Sequence, residues 1–396
     1  MDAGTDARTG AAPDAGDGAW SARAERAQDA LTAAFATRLR RGGLRNTAPW
    51  RLRQAFAFNY WWLAHAIEVR VDAFDRSGDA SRLSSARRLL QLLRRRNRGT
   101  LINDYFDDMG WLAIALLRVH AATGERPFLG DAVGLWEHIR HAGWNARHGA
   151  SVAWRQQQPD YKNAPTNGAF ALLSARLLAA TGEPRYARAV LEALDWIETS
   201  LVDPSTGIVA DGVNRQGDGA LDTDWVFSYN QGLYVSALVE VAGRRDGVDA
   251  PVGGLAGIAG EIADSLADRP ADALARAERT AVAAVGRLAP TGVITTENSR
   301  FDQRGGGDIG LFKGVFVRSL GDLIPRLPAE SASRRLLADF VRTSTDALWS
   351  SIRRSPELRA GDDWSRPAPP VTFLSTQLSA VMALEARAGL ERNGVM

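Results

Sequence analysis

The sequence Asn-Asp-Tyr-Phe-Asp-Asp-Met-Gly-Trp occupies residues 103–111, and apolar residues at helical spacing follow it from Leu112 to His120. No helix breaker interrupts this run, so the pattern predicts a buried helix that begins near Asp107 and Asp108. Aspartate is common at helix starts for a structural reason, because its carboxylate accepts hydrogen bonds from unpaired backbone N–H groups. Helix capping is therefore one interpretation of this pair, and a chemical role is the other.

The same alternation of a polar loop and an apolar helix recurs along the chain. Twelve helices are predicted, beginning near residues 20, 54, 80, 107, 127, 166, 184, 227, 256, 311, 331 and 372, and almost no strand pattern is present. The fifth helix is predicted to extend to about Ala146. Arg269-Pro270 predicts a break in the ninth helix. The glycines of 304–307 indicate a loop before the tenth helix.

Loop lengths indicate how these helices are arranged. Long loops precede the even-numbered helices, whereas short turns precede most of the odd-numbered ones, so the repeating unit is a helical hairpin. Six hairpins predict an all-α fold, an α/α toroid with an inner and an outer ring of helices. The starts of the inner helices and the long loops before them would then share one rim.

Composition excludes several classes of protein. A hydrophobic content of 45% and a charged content of 24% are typical of a chain that buries a core, and a net charge of +2 gives no strong field for nucleic acid. Cysteine is absent and the five histidines have no metal-ligand spacing, so we expect neither a metal nor another cofactor. No apolar run is long enough to span a membrane.

The first 19 residues are rich in alanine, glycine and aspartate and predict a disordered tail, followed by one catalytic domain at 20–396. They contain neither a basic segment nor the apolar segment of a signal peptide, so the sequence as written predicts a cytoplasmic protein. We expect a monomer.

Aromatic, amide and lysine side chains cluster at the predicted rim. Such groups stack on sugar rings and hydrogen bond to sugar hydroxyls. The alternatives are core packing for the aromatic residues, helix capping for the amides and buried salt bridges for the only two lysines. The candidate binding residues are Tyr60, Trp61, Tyr105, Trp111, Trp154, Lys162, Asn163, Asn167, Tyr229, Asn230, Gln231, Lys313 and Gln377.

The paired aspartates also match a known chemistry. A retaining glycosidase uses one carboxylate as nucleophile and a second as general acid/base, about 5 Å apart. The motifs that carry a wider resemblance are Asp107-Asp108-Met109-Gly110-Trp111, Lys162-Asn163-Ala164, Tyr229-Asn230-Gln231-Gly232 and Phe312-Lys313-Gly314. Together, between about Asn59 and Gln377, they resemble those of glycoside hydrolase family 76, the α-1,6-mannanases.

The resemblance implies a retaining, endo-acting hydrolase of α-1,6-linked mannan or its oligosaccharides, with Asp107 as nucleophile and Asp108 as acid/base. One departure is Leu112, where a second tryptophan often follows Trp111. Another is the missing signal peptide, since many relatives are secreted. A mannan transglycosylase, a non-catalytic carbohydrate-binding cell-wall protein, and a different enzyme on the same toroid, such as an epimerase, remain open alternatives.

Overall fold

The computed structural model describes residues 19–37, 43–243, 270–295, 297 and 307–396. This part of the chain contains twelve helices of thirteen or more residues. They are α1 Ala19–Phe35, α2 Tyr60–Ser77, α3 Ala80–Arg96, α4 Phe106–Thr123, α5 Arg126–His138, α6 Ala164–Thr181, α7 Pro184–Ser200, α8 Ser228–Ala242, α9 Pro270–Leu288, α10 Ile309–Leu323, α11 Ala332–Ile352 and α12 Leu374–Arg392. Shorter helical segments are Leu52–Ala55, a π-helical turn Ile139–Gly143 and a 3₁₀ turn Ile324–Arg326.

The even-numbered helices form a closed inner ring. Each packs against the next one, from α2 through α4, α6, α8 and α10 to α12, and α12 packs back against α2. The odd-numbered helices pack outside this ring, each against its hairpin partner or a neighbouring inner helix. Inner helices such as α6 are buried on almost every side, whereas the outer helix α7 buries one stripe. The predicted α/α toroid of six hairpins is confirmed.

Glycines in the sequence motifs bring neighbouring inner helices close together. A Cβ at Gly168 would lie 2.9 Å from the Leu233 side chain of α8, and one at Gly314 would lie 2.5 Å from the Ser379 backbone of α12. Gly110 and Gly232 face α6 and α10 in the same way, at 3.0 Å. Real Cβ atoms do not approach so closely, so a larger residue here would push the inner ring apart.

Short strands, which the sequence did not indicate, fasten the loops above the inner ring. The strands are β1 Thr47–Ala48, β2 Trp144–Asn145, β3 Ser151–Arg155, β4 Gln158–Asn163, β5 Gly212–Val213 and β6 Thr372–Phe373. β1 pairs with β6, and β2 to β5 form a four-stranded antiparallel sheet. Strands of two to six residues are too short to show a clear alternation of polar and apolar residues.

The fifth predicted helix is the clearest error in the sequence analysis. It was expected to extend to about Ala146, but α5 ends at His138, the π-helical turn follows, and Trp144 and Asn145 form β2. These two residues pair with Val152 and Ser151, so sheet formation ends the helix.

Three sequence-based expectations fall wholly or partly outside the described residues: residues 1–18 of the predicted tail, residues 256–269 of the ninth helix, and residues 304–306 of the glycine-rich loop. Helix α9 begins at Pro270, where a break was predicted. No helix in the described segments is long and apolar enough to cross a membrane.

Candidate active site

The starts of the inner helices and the loops before them form one end of the toroid, called here the N-terminal rim. Asp107 and Asp108 lie there in the first turn of α4. The Asp107 carboxylate accepts a hydrogen bond from the backbone N–H of Asp108 at 3.0 Å and one from the Trp154 indole at 3.2 Å. Asp108 Oδ2 accepts one from the Asn103 amide at 2.6 Å. Both side chains are half-buried and keep some exposure to solvent.

These carboxyl groups hold protons unusually tightly. Burial raises the pKa of Asp107 to about 7, although its two N–H donors oppose that rise. Burial also raises the pKa of Asp108 well above its usual range, and the charges of Asp107 and Asp308 raise it further. Asp107 accepts hydrogen bonds from two N–H donors and Asp108 from one. The Asp107 anion is therefore better stabilised, so Asp107 ionises at a lower pH than Asp108. The pair therefore favours Asp108 as the acid and Asp107 as the group that loses its proton first.

Asp308, a third carboxylate, was not identified from the sequence. It directly precedes α10, and its Oδ1 accepts hydrogen bonds from the indoles of Trp61 at 3.0 Å and Trp62 at 2.8 Å. Burial raises its pKa, and its charge raises the pKa of both Asp107 and Asp108. An acidic residue just before an apolar inner helix, as in Asp107-Asp108, is the sequence signal that could have identified it.

Aromatic rings from three other inner helices surround Trp61 of α2. Its ring centroid lies 6.5 Å from Trp111 of α4, 6.5 Å from Tyr229 of α8 and 6.1 Å from Phe312 of α10. Tyr229 and Phe312 are stacked, with centroids 3.8 Å apart. Trp61 and Tyr229 are half-buried, whereas Trp111 is buried beneath them. Trp61 and Tyr229 therefore offer the ring surface that a sugar could contact.

Beneath these rings lies His65, a fully buried residue that the sequence analysis did not place in the site. Its centroid is 4.6 Å from Trp111, and its Nδ1 is 3.2 Å from Glu68 Oε2. Burial lowers its pKa, so this imidazole is neutral at pH 7.

A second aromatic group stands beside Asp107. Trp154 of β3 meets Tyr105 edge-on at 5.2 Å and Tyr161 at 5.6 Å. Tyr105 and Trp154 are half-buried at the rim, next to Asp107. Tyr60, by contrast, is buried and donates its hydroxyl to the Leu101 carbonyl at 2.6 Å, which favours packing for this candidate.

A buried carboxylate, Asp211, anchors the long loop before α8. It accepts hydrogen bonds from the Tyr161 hydroxyl at 3.0 Å and the Asn230 amide at 2.9 Å, and it pairs with Arg215. The Arg215 guanidinium also lies 4.3 Å from the Trp225 ring centroid. Asn230 thus reaches the site through Asp211, and its own Oδ1 is buried without a hydrogen-bond partner among the described residues.

The other candidate amides hold loops against helix starts. Asn167, Gln231 and Gln377 each occupy the fourth position of an inner helix. Each accepts a backbone N–H and donates to a backbone carbonyl, with Val152, Val209 and the pair Ala360 and Leu358 as the respective partners. Asn163 caps α6 by accepting the Thr166 N–H. Helix capping is thus the role of Asn163, whereas Asn167, Gln231 and Gln377 hold neighbouring backbone segments against the helix starts.

The two lysines are fully buried and differ in their partners. Lys162 donates to the carbonyls of Asn145 at 3.0 Å and Ser151 at 2.6 Å, and burial lowers its pKa to about 7. Lys313 lies 3.1 Å from Asp362 Oδ1 and donates to the Thr295 carbonyl. Neither lysine is hydrogen bonded to Asp107, Asp108 or Asp308 within the described part of the chain.

Next to Lys313 lies Glu297, which receives the backbone N–H and the hydroxyl of Ser228 at the start of α8. Burial raises its pKa to about 7.

In the segments that the structure describes, no group of three or more histidine, aspartate or glutamate side chains is arranged to hold a metal ion.

Comparison with known proteins connects this site to one family. A model of glycosyl hydrolase family 76 matches residues 19–243. The Lin0763 protein of Listeria innocua is 33% identical, with a TM-score of 0.82 over 94% of this chain and 98% of that one. A curated relative, mannan endo-1,6-α-mannosidase DCW1 of Candida glabrata, is 30% identical over 144 residues, which are 33% of this chain and about a third of the relative's length.

The α-1,6-mannanase GH76A of Salegentibacter sp. HEL1_6 is similar along the whole toroid. It is 30% identical, with a TM-score of 0.79 over 93% of this chain and 99% of that one. A variant of that enzyme with two consecutive aspartates replaced by asparagine is described as inactive, and its structure holds α-1,6-mannotriose.

Proposed function

The chain belongs to glycosyl hydrolase family 76, a family of glycosidases, and we propose that it cleaves α-1,6-mannosidic linkages in mannan or its oligosaccharides with retention of configuration. Asp107 is the nucleophile and Asp108 the general acid/base in this proposal. The observation that carries it is the pair of adjacent carboxyl groups in the first turn of α4 at the aromatic rim, where Asp107 accepts hydrogen bonds from the Asp108 N–H and the Trp154 indole.

The division of roles follows from the hydrogen bonds. A nucleophile must be ionised, and Asp107 receives two N–H donors that favour its anion. The acid must carry a proton, and burial with two neighbouring negative charges keeps Asp108 protonated. Pairs of carboxyl groups with separated pKa values are characteristic of glycosidases.

In the first step an Asp107 oxygen attacks the anomeric carbon of the mannosyl unit. The C1–O6 bond breaks, and the proton of Asp108 passes to O6 of the departing sugar. The product is a mannosyl ester of Asp107, in which C1 has inverted once.

In the second step Asp108, now a carboxylate, takes a proton from water as the water oxygen attacks C1. The ester bond breaks, Asp107 recovers its negative charge, and the second inversion restores the α configuration. No other reactant is needed.

The choice of α-1,6-mannan rests on the relatives, and the rim supports a sugar ligand in general terms. Half-buried Trp154 donates its indole N–H to Asp107, and half-buried Trp61 and Tyr229 lie 6.5 Å apart at the same rim. Ring faces of this kind stack on sugars.

The test is hydrolysis of α-1,6-mannotetraose by the wild type and by Asp107→Asn, followed by mass spectrometry and by NMR of the first-formed anomer. We expect shorter oligosaccharides with the α anomer first, and loss of turnover in the variant. Asp339→Asn, at an exposed carboxylate on α11, is the matched control and should retain full activity. A β anomer as first product would reject the retaining mechanism, longer products would indicate transfer, and no turnover by the wild type would reject the activity.

A further inference from the structure

Asp308 has one carboxylate oxygen engaged and the other without a hydrogen-bond donor among the residues that the structure describes. Both indole N–H groups, from Trp61 and Trp62, donate to Oδ1. Among the described residues no donor is hydrogen bonded to Oδ2, and the residue as a whole is exposed at the rim. A carboxylate oxygen has two lone pairs, so Oδ2 can accept one or two further hydrogen bonds.

The contact with Trp61 places the Asp308 carboxylate at the aromatic cluster of the N-terminal rim, where the catalytic pair also lies. Asp308 is close enough for its charge to act on both Asp107 and Asp108. Through Oδ1 it also contacts Trp61, whose ring forms the proposed sugar-binding surface. A sugar resting on Trp61 would therefore bring its hydroxyls near the Asp308 carboxylate, of which Oδ2 is the oxygen not bonded to an indole.

The two indole N–H groups that donate to Oδ1 also restrict rotation of the Asp308 carboxylate, so they hold Oδ2 in one orientation. Trp62 is buried and its ring meets Phe373 edge-on at 6.1 Å, so its indole N–H is held in place by packing. A preoriented acceptor loses little entropy when it binds a ligand hydroxyl.

From this geometry, and resting on the proposed function above, we infer that Asp308 recognises substrate. Its Oδ2 accepts a hydroxyl of the mannosyl unit attacked at C1, while its Oδ1 holds the Trp61 and Trp62 indoles. Asp308 is thus a specificity-determining carboxylate in addition to the catalytic pair.

The decisive variant is Asp308→Asn, because the asparagine carbonyl can still accept from both indoles while the free acceptor becomes an NH₂ group. We expect kcat/KM on α-1,6-mannotetraose to fall about 10- to 100-fold, the range for a lost hydrogen bond to a charged group. Because the variant also removes a charge near the catalytic pair, kcat/KM is compared at the pH optimum of each protein. If Asp308 only held the indoles, the variant would retain the wild-type kcat/KM at its own optimum, and that result would overturn the inference.

Deoxy substrates identify the hydroxyl. Tetraose analogues with hydrogen in place of one hydroxyl at C2, C3 or C4 of the attacked unit are compared in the wild type and in Asp308→Asn. With the wild type, we expect one analogue to be cleaved with a clearly lower kcat/KM than the parent tetraose. With Asp308→Asn, the same analogue and the tetraose should differ by less than about threefold, because the variant has already lost that contact. If the loss caused by the variant and the loss caused by the missing hydroxyl multiplied for all three analogues, the inference would be contradicted.

The pH profile tests whether Asp308 lies beside the reacting pair, independently of any contact with a substrate hydroxyl. Removing the charge of Asp308 lowers the pKa of both Asp107 and Asp108, so both limbs of the kcat/KM profile should move to lower pH. Unmoved limbs would contradict the placement of Asp308 beside the pair.

Binding separates failure of the inference from failure of the proposed function. Calorimetry with α-1,6-mannotetraose compares Asp107→Asn with Asp107→Asn/Asp308→Asn, neither of which needs turnover. Weaker binding by the double variant supports recognition by Asp308 even if the wild type proves inactive. Equal binding by the two proteins rejects the inference whatever the wild type does.

Discussion

Glu68 and Asp72 at one end of the inner ring are paired with arginines, whereas Asp107 and Asp108 at the other end have no arginine partner among the described residues. At the C-terminal end, Glu68 lies 2.9 Å from Arg318 and 3.7 Å from Arg118, and Asp72 pairs with both arginines. At the N-terminal rim, no arginine, lysine or histidine of the described residues is hydrogen bonded to Asp107, Asp108 or Asp308. The same six helices therefore contain compensated and uncompensated acids.

The pKa values follow this difference. Burial alone would raise the pKa of Glu68, but Arg318, the His65 hydrogen bond and Arg118 hold it well below the usual range. Burial raises the pKa of Asp107 to about 7, and the groups that oppose this rise are N–H donors. Buried carboxylates with cations hold helices together, whereas buried carboxylates without cations keep protons available for transfer.

Amide side chains fasten several loops of the rim, and the ion pairs there, Arg215 with Asp211 and Lys313 with Asp362, leave out the catalytic pair. Asn167, Gln231 and Gln377 hold the loops through backbone hydrogen bonds, and Lys162 binds carbonyls. Neutral amides hold the rim without placing a positive charge beside the catalytic pair, where it would lower the pKa of Asp108.

The largest expected effect is at the rim, in Asp108→Asn. Loss of the general acid should lower kcat on α-1,6-mannotetraose about 100- to 10,000-fold. Thermal stability should rise, because an uncompensated buried carboxyl group next to Asp107 is removed. Initial rates and the melting temperature check both parts. A drop in melting temperature would contradict the contrast between the two ends.

At the other end, Arg318→Met should destabilise the fold by about 3–5 kcal/mol, because Glu68 and Asp72 lose a partner while buried. Urea unfolding measures the change, and kcat should stay at the wild-type value. Arg342→Met, which breaks an exposed pair with Asp339 on α11, is the control and should cost about 0–1 kcal/mol. If both variants lowered the free energy of unfolding by a similar amount, the pairs of Arg318 would contribute no more to stability than an exposed pair.

A smaller effect concerns the pH dependence of stability. Asp107 has a folded pKa of about 7 and an unfolded one of about 3.9, so the folded state binds more protons between these values. Stability therefore falls as pH rises from about 4 to 7, and Asp107→Asn should reduce that fall. Urea unfolding across this range measures it. Parallel curves for variant and wild type would contradict the raised pKa.

Glu68 should behave in the opposite sense, because its folded pKa is depressed. Its contribution is present above the unfolded pKa of about 4.3 and is lost as pH falls below that value. The loss caused by Arg318→Met should accordingly shrink under acid conditions. If Arg318→Met lowered the free energy of unfolding by the same amount at low pH, its effect would not depend on the ionisation of Glu68.

The smallest effect is expected for Gln231→Met. Its amide is buried and fully bonded to the backbone of Val209 and Phe227, so the change should cost about 1–2 kcal/mol. The cost should be the same at every pH, since no charge is involved. Urea unfolding at two pH values tests this, and a cost that varies with pH would show that the amide acts through a charged group.

The architecture was largely predictable, whereas the orientation of site residues was not. Continuous apolar runs and alternating loop lengths identify inner and outer helices locally. In a first turn, however, neighbouring residues point about 100° apart. Asn230 reaches Asp211 while adjacent Gln231 binds the Val209 backbone, a difference that the motif does not reveal. Asp308 was missed because it stands alone in sequence and meets its partners only across the ring.

The sequence by itself determined the number of long helices, their alternation and the position of the aspartate pair, because these depend on periodicities within a few turns. Only the tertiary structure decided which buried carboxylates meet a cation and which do not. The neighbours of Asp108 include Asp308, 200 residues away, and those of Glu68 include Arg318. Protonation depends on such remote charges and on burial, so the chemistry of the pair is a property of the closed ring.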